Sequence, residues 1–196
     1  QMFDEGKLNA DQAKFWQPKP VEELFDLQSD PDEVKNLAGD TAHADRVSMM
    51  RDAVHRWMIE TGDMGMFPEA EMHRVVAEDQ SPREFALNHP GLMTRLAETA
   101  LDATDVDSDM SSEKAIELSA DPEAVIRFWA VRGIGLRNAT TPAAIQAVKR
   151  AMNDESPSVA IAACEAIQII GGKAEQQAAT ERLLELANVE TVEHFA

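Results

Sequence analysis

NHPGLMTRLAETAL (residues 88–101), DPEAVIRFWAVRGI (121–134) and DESPSVAIAACEAI (154–167) start 33 residues apart and share one pattern. Five residues after the first position of each comes Met93, Ile126 or Val159. Nine on comes Ala97, Ala130 or Ala163; twelve on, Ala100, Gly133 or Ala166; thirteen on, Leu101, Ile134 or Ile167. Aliphatic residues recur where a helix would bury itself, and small residues recur where two helices would approach closely. Between these stretches the apolar spacing predicts second helices over residues 113–120, 142–152 and 174–187. Pro142 after Thr141 reads as a helix start, and Gly171-Gly172 separates one helix from the next. A period in the thirties with two helices per unit predicts an α-helical solenoid.

The form D-x4-[VI]-x3-A-x2-[AG]-[LI] resembles HEAT-type repeats, with a period nearer their compact bacterial form. Val192, Phe195 and Ala196 match Val159, Ala162 and Ala163 at the same offset. The chain therefore reads as truncated inside the first helix of a fourth repeat, with residues 189–196 starting a helix against 174–187.

A different pattern precedes the repeats. EELFDLQSDPDEVKNL, residues 22–37, begins with a short apolar run, Leu24, Phe25 and Leu27, that reads as a brief strand. Asp30 is placed to cap a helix whose first residue is Pro31, with Glu33 three residues after the cap. Gly39 is placed to close that helix from a left-handed conformation. Asn9-Ala10-Asp11-Gln12 contains a helix-start signal, and Gln17-Pro18-Lys19-Pro20 breaks any helix before it reaches the strand. After Asp40-Thr41, Val47, Met50, Val54, Trp57 and Met58 form one apolar stripe, which predicts a long helix ending near Gly62. The Val47, Val54 and Trp57 face of that helix is expected to be buried.

Residues 22–37 resemble a strand–turn–helix near the C-terminal end of the sulfatase fold, of the form E-E-L-[YF]-D-L-x-x-D-P-x-E-x-x-N-L. Glu22, Glu23, Leu24, Phe25, Asp26, Leu27, Asp30, Pro31, Glu33, Asn36 and Leu37 all fall in place. Phe25 stands where Tyr is more usual, and Lys19-Pro20 where Arg-Pro is common. The resemblance implies that the parent protein hydrolyses sulfate esters with a formylglycine and a bound divalent cation, calcium being the expected one. It also implies that the catalytic residues lie upstream of this motif, and that Met64-Gly65-Met66-Phe67-Pro68-Glu69 runs back over the catalytic domain. For the parent it suggests a periplasmic or secreted location.

The 196 residues carry 36 acidic against 18 basic side chains, a net charge of −18, which repels phosphate backbones and argues against nucleic-acid binding. Apolar content of 44% suffices for a packed core, and few aromatics with much alanine and methionine favour helices. No stretch is long and apolar enough for a membrane span. One cysteine leaves the redox compartment open. The first residue, Gln1, reads as a cut in a longer chain.

Chemistry-bearing residues are sparse. Sulfatases need Cys or Ser in C/S-x-P-S-R or C-x-A-x-R. Cys164 lies in Ala162-Ala163-Cys164-Glu165-Ala166, on the inward face of a repeat helix, where a buried structural thiol outweighs a nucleophile. His43, His55, His73, His89 and His194 are scattered, with no pair at metal-ligand spacing. Asp102, Asp105, Asp107 and Asp109 invite a calcium-loop reading, but Met110 stands where that loop needs Gly and Ile116 where it needs the bidentate Glu. Arg127, Arg132 and Arg137, near Phe128 and Trp129, read as an ion-pair ladder along the repeats rather than an anion site.

The sequence thus predicts a mostly α chain. A short strand–turn–helix remnant of the sulfatase C-terminal subdomain occupies residues 1–68, a linker 69–80, and a HEAT-like solenoid 81–196. No catalytic, cofactor-binding or metal-binding residue is assigned to it. The expected role is a non-catalytic, structural or substrate-framing part of a sulfatase, with the upstream catalytic domain as its partner. The alternative is an interaction module whose solenoid binds a separate protein. A lone strand is stable only within a sheet, so the 22–27 segment is expected to pair with the catalytic part or another chain.

Overall fold

The computed structural model describes residues 2–105, 108 and 110–187. The described residues form ten α-helices and no strand. They divide into two compact units, residues 1–55 and 56–196, and the division falls within a helix.

In the first unit, α1 (Ala10–Ala13) starts where the sequence signals it. Asn9 accepts from the Gln12 backbone N–H while the Gln12 side chain accepts from Asn9, a reciprocal capping box. A 3-10 turn over Lys14–Trp16 follows. The expected strand and helix of residues 22–37 do not form. Residues 22–26 have no regular secondary structure, and residues 31–39 are turns and irregular backbone. Asp30 does cap, but across a turn: its carboxylate accepts from the Val34 and Lys35 N–H groups at 3.1 and 2.8 Å. Glu33, at φ 54°, leaves the right-handed region and stops a helix from propagating. Gly39 is not left-handed; the positive-φ glycines are Gly6 and Gly62.

The two ends of the motif are instead sewn together. The Leu37 N–H donates to the Leu24 carbonyl at 2.8 Å. Asn36 Oδ1 accepts from the Leu24 and Ala38 N–H groups, and its Nδ2 donates to the Glu22 carbonyl, each at 2.9 Å. Asp26 holds the intervening turn through the Gln28 N–H and the Ser29 hydroxyl. Asp26, Asp30 and Asn36 of the motif are therefore backbone clamps.

The long helix predicted after Asp40 is α2 (Ala44–Thr61), preceded by a 3-10 turn over Thr41–His43 that Asp40 caps. Gly62 ends it at φ 68°, as its position suggested. The expected burial of its stripe is overturned. Val47 is only half-buried, while Met50, Val54 and Trp57 are exposed, Trp57 at 58%. The apolar spacing makes the helix amphipathic, but nothing among the described residues covers that face.

The second unit is a stack of helices: α3 (Glu69–Val75), α4 (Pro82–Asn88), α5 (Pro90–Thr104), α6 (Ser112–Leu118), α7 (Ala124–Leu136), α8 (Pro142–Ala151), α9 (Pro157–Ile170) and α10 (Lys173–Leu186). The three stretches quoted first become α5, α7 and α9, packed side by side in that order. The second helices α6, α8 and α10 match the predicted spans within about two residues. Ser81, Ser111, Thr141 and Ser156 cap α4, α6, α8 and α9 through their hydroxyls, and proline opens α4, α5, α8 and α9. Five of the six recurrent aliphatic positions are buried, Met93, Ile126, Val159, Ile134 and Ile167, and Leu101 is half-buried.

The small-residue positions do what their recurrence implied. A Cβ on Gly133 would lie 3.2 Å from the Ala103 Cβ of α5, and one on Gly135 2.9 Å from the Ala166 Cβ of α9. Glycine in α7 thus allows close approach on both sides. Residues 64–76 pack on the same stack. The Trp129 Nε1–H donates to the Met66 carbonyl at 2.8 Å, and Phe67 meets the Phe85 ring edge-on with centroids 6.1 Å apart. The predicted helix start at residues 189–196 lies outside the described residues.

Candidate functional site

The Asp that opens each of the second and third repeats has a double job. Asp154 Oδ1 accepts from the Ser156 N–H at the start of α9, and Asp121 Oδ1 from the Glu123 N–H at the start of α7, both at 2.9 Å. Each carboxylate also pairs with an arginine of the preceding repeat helix. Arg95 reaches Asp121, and Arg127 holds Asp154 through two bonds of 2.8 Å. Arg127 donates further to the Asp121 and Pro122 carbonyls at 2.9 Å. The Asp154 hydrogen bonds push the already high Arg127 pKa further up, against the opposing cost of burial. Arg127 thus pairs along the repeats as the sequence suggested, and these bonds leave it no capacity for an external anion.

Arg137 is likewise committed. It donates to the carbonyls of Ala103, Asp102 and Asp105 and to Ser108 Oγ. The acidic loop after α5 therefore wraps its backbone oxygens around a guanidinium. Asp107 and Asp109, two of the four residues in the calcium reading, lie outside the described residues. Arg132 stacks over Phe128 and Trp129, 5.5 and 5.9 Å from their ring centroids, and pairs with Glu165 at 3.1 Å.

Cys164 is fully buried in α9, where desolvation raises its thiol pKa. A neutral, enclosed thiol is a poor nucleophile. Of the histidines, His89 bonds the Phe85 carbonyl through Nδ1 at 2.8 Å and stacks on the Phe85 ring. His73 lies 3.9 Å from Glu69. His43 sits in the 3-10 turn before α2 and His55 within that helix. His194 lies outside the described residues. Among the described residues no three His, Cys, Asp or Glu side chains converge on a point that could hold a metal ion. Among the described residues no side-chain cluster fits the calcium that the resemblance implies for the parent, and Cys164 is enclosed.

Sequence reasoning missed one buried charge. Glu71 of α3 is 2% exposed; its Oε1 accepts the Ser156 hydroxyl at 2.5 Å, and Arg74 Nη1 lies 3.3 Å from both carboxylate oxygens. Ser156 caps α9 with the same oxygen, so Glu71 is fixed at a helix N-terminus. Its only sequence signal was an i, i+3 carboxylate–arginine pair, which surface helices show as readily. A cavity of about 580 Å³ is lined by Ala77, Asp79, Gln80, Glu84, Leu87 and Asn88. Glu84 there is committed to the Ser81 capping box, and the lining holds no nucleophile.

The chain has likenesses to two kinds of protein. Residues 112–193 match the HEAT repeat family. Over 69 residues, 35% of this chain, the sequence is 42% identical to an ulvan-active sulfatase of Formosa agariphila. That match spans only 12% of the sulfatase's length. No solved structure matches the chain. No helix among the described residues is long and apolar enough to cross a membrane.

Proposed function

We propose that this chain is a non-catalytic C-terminal part of a sulfatase. Residues 1–68 complete a catalytic body whose nucleophile and metal ligands lie elsewhere, and the HEAT-like repeats from residue 81 frame that body or its substrate. The observation that carries this reading is the first unit's lack of a core. No residue from 2 to 55 is buried, while Phe3, Phe15, Trp16, Leu27, Met50 and Val54 are exposed. A polypeptide of that length with so many bare apolar side chains is built to be covered. The 69-residue likeness to a sulfatase names the kind of body that would cover it.

In the parent, a formylglycine and a divalent cation, calcium by resemblance, would supply the nucleophile and the stabilisation of the departing charge. This chain would contribute shape and packing. The test is a chromogenic aryl sulfate with added calcium, given to this chain alone and to the chain joined to the reading frame that precedes it. The joined protein is expected to turn over and the chain alone is not. Turnover by the purified chain would overturn the placement of the catalytic residues.

A second reading, an interaction module for a separate protein, is favoured by one feature of the repeats. Leu136 of α7 and Ile169 of α9, 33 residues apart, are exposed at 45% and 55%, each one helical turn after a member of the Arg132–Glu165 pair. An inactive joined protein with an intact formylglycine motif would favour this reading.

A further inference from the structure

Residues 64–76 cross the repeats as a strap. The sulfatase resemblance implies that residues 64–69 lie over a catalytic domain, whereas the structure seats them on the helices of the second unit. Gly62, at φ 68°, turns the chain tightly against α4: a Cβ there would lie 3.0 Å from the Arg83 carbonyl oxygen. Phe67 then enters a cluster with Phe85, Met93, Leu96, Val125 and Ile126, contributed by α4, α5 and α7. The Met66 carbonyl accepts from Trp129 Nε1 of α7. Four residues after Phe67, the buried Glu71 carboxylate accepts the Ser156 hydroxyl at the start of α9. The Glu71 charge also reaches Arg127 of α7. The strap thus meets three successive repeats through an aromatic anchor, a backbone carbonyl and a carboxylate.

Little within the strap folds it. Its helix, α3, has seven residues, and Pro68 before it supplies no side-chain cap. A helix that short is marginal in water, so it takes its shape from the surface beneath it. An apolar anchor followed one turn later by a fixed charge is how a short helix is read in a groove. We propose that α4, α5, α7 and the start of α9 form a peptide-binding groove, that residues 64–76 fill it in cis, and that a partner protein enters by presenting the same chemistry, an aromatic anchor with a carboxylate four residues on. Ser156 makes the carboxylate a requirement. It is fully buried, so an occupant without that acceptor strands its hydroxyl proton away from water. The proposal is independent of the sulfatase reading, and it gives the interaction reading a site and a partner chemistry.

The test adds a labelled peptide of residues 63–77 to the full chain, before and after one cut. A protease site inserted between Glu78 and Asp79, both exposed, frees the strap's end without changing a contact residue. The intact chain should bind the peptide at least about tenfold more weakly than the cut chain, because its own strap competes at high effective concentration. In the cut chain excess peptide should displace residues 1–78, seen as their release on a sizing column. Glu71→Ala in the peptide should weaken binding by at least about tenfold, the worth of a charge-assisted hydrogen bond, and Phe67→Ala by at least as much. A cut chain that loses its helical circular dichroism would show that the strap is core, and would overturn the proposal. A folded cut chain that does not bind the peptide would overturn it too, leaving the exposed Leu136 and Ile169 to support the interaction reading. Equal binding of the Glu71→Ala peptide would overturn the carboxylate requirement.

Discussion

The two units use the same kind of sequence to opposite ends. In the repeats, apolar residues at helical spacing find one another, and Ile126, Ile134, Val159 and Ile167 are all fully enclosed. In α2 an equally regular stripe of Met50, Val54 and Trp57 remains exposed. Polar residues differ in the same way. Asp121 and Asp154 tie one repeat to the next, whereas Asp26, Asp30 and Asn36 tie a short loop to itself. Periodicity shows that a helix has a partner; it does not show that the partner is part of the same chain.

If that contrast holds, the largest stability effects lie in the repeats. Arg127→Ala leaves the nearly buried Asp154 carboxylate unpaired and frees two carbonyls. It should destabilise the repeat unit by about 3–5 kcal/mol, measured as a lowered urea midpoint. A loss below about 1 kcal/mol would mean that the ladder is solvated and the contrast overstated. Gly135→Ala comes next. Its new Cβ would sit 2.9 Å from that of Ala166, so α7 and α9 must separate slightly, at a cost of about 1–3 kcal/mol by the same measurement.

The repeat unit was legible in the sequence because each of its signals is local or recurs. Thr141-Pro142 and Ser156-Pro157 specify helix starts by their own hydroxyls and rings, and the recurring Asp and small residues are confirmed at each turn of the stack. The 22–37 stretch misled because its residues have two uses. An aspartate before a proline can cap a helix or hold a turn, and Asp30 holds a turn once Glu33 turns left-handed. An apolar run of three residues reads as a strand, but strand formation is a property of the pair. Arg137 in the acidic loop and Glu71 under Ser156 were illegible for another reason. Their partners lie about 30 and 85 residues away, with no periodic signal to join them.

In the first unit the expected effects are local. Asn36→Ala removes three hydrogen bonds at once, so the Leu24 amide should exchange at the open-chain rate. The urea midpoint of the repeats should not move. A shifted midpoint would show that the loop supports more than itself. Trp57→Ala sharpens the comparison further. A buried tryptophan would cost about 3–5 kcal/mol, but a ring this exposed should cost less than about 1 kcal/mol in the chain alone. The same substitution in the protein joined to the proposed catalytic body should approach the larger figure if that body covers α2.

The smallest effect is the ion pair that joins the loop to α2. Arg51 grips Glu22 with two bonds of 2.5 Å, from Nε and Nη2. The Arg51 hydrogen bonds hold the Glu22 carboxyl below its ordinary range, with burial opposing them and the Arg51 charge adding to them. A carboxylate whose folded pKa is depressed stabilises the fold above its unfolded pKa and loses that contribution as pH falls through the folded value. The clamp should therefore be intact at pH 7 and begin to loosen only below about pH 4, the ordinary glutamate range. Both side chains are partly solvated, so the whole contribution should stay under about 1 kcal/mol and shrink as salt is added. The Arg51 Nε–H resonance, followed from pH 7 downward, reports the pair directly. Glu22→Gln should remove the acid-dependent change in that signal while leaving the repeat unit's melting untouched. A signal that changes near neutral pH, or persists in Glu22→Gln, would show that another carboxylate holds Arg51.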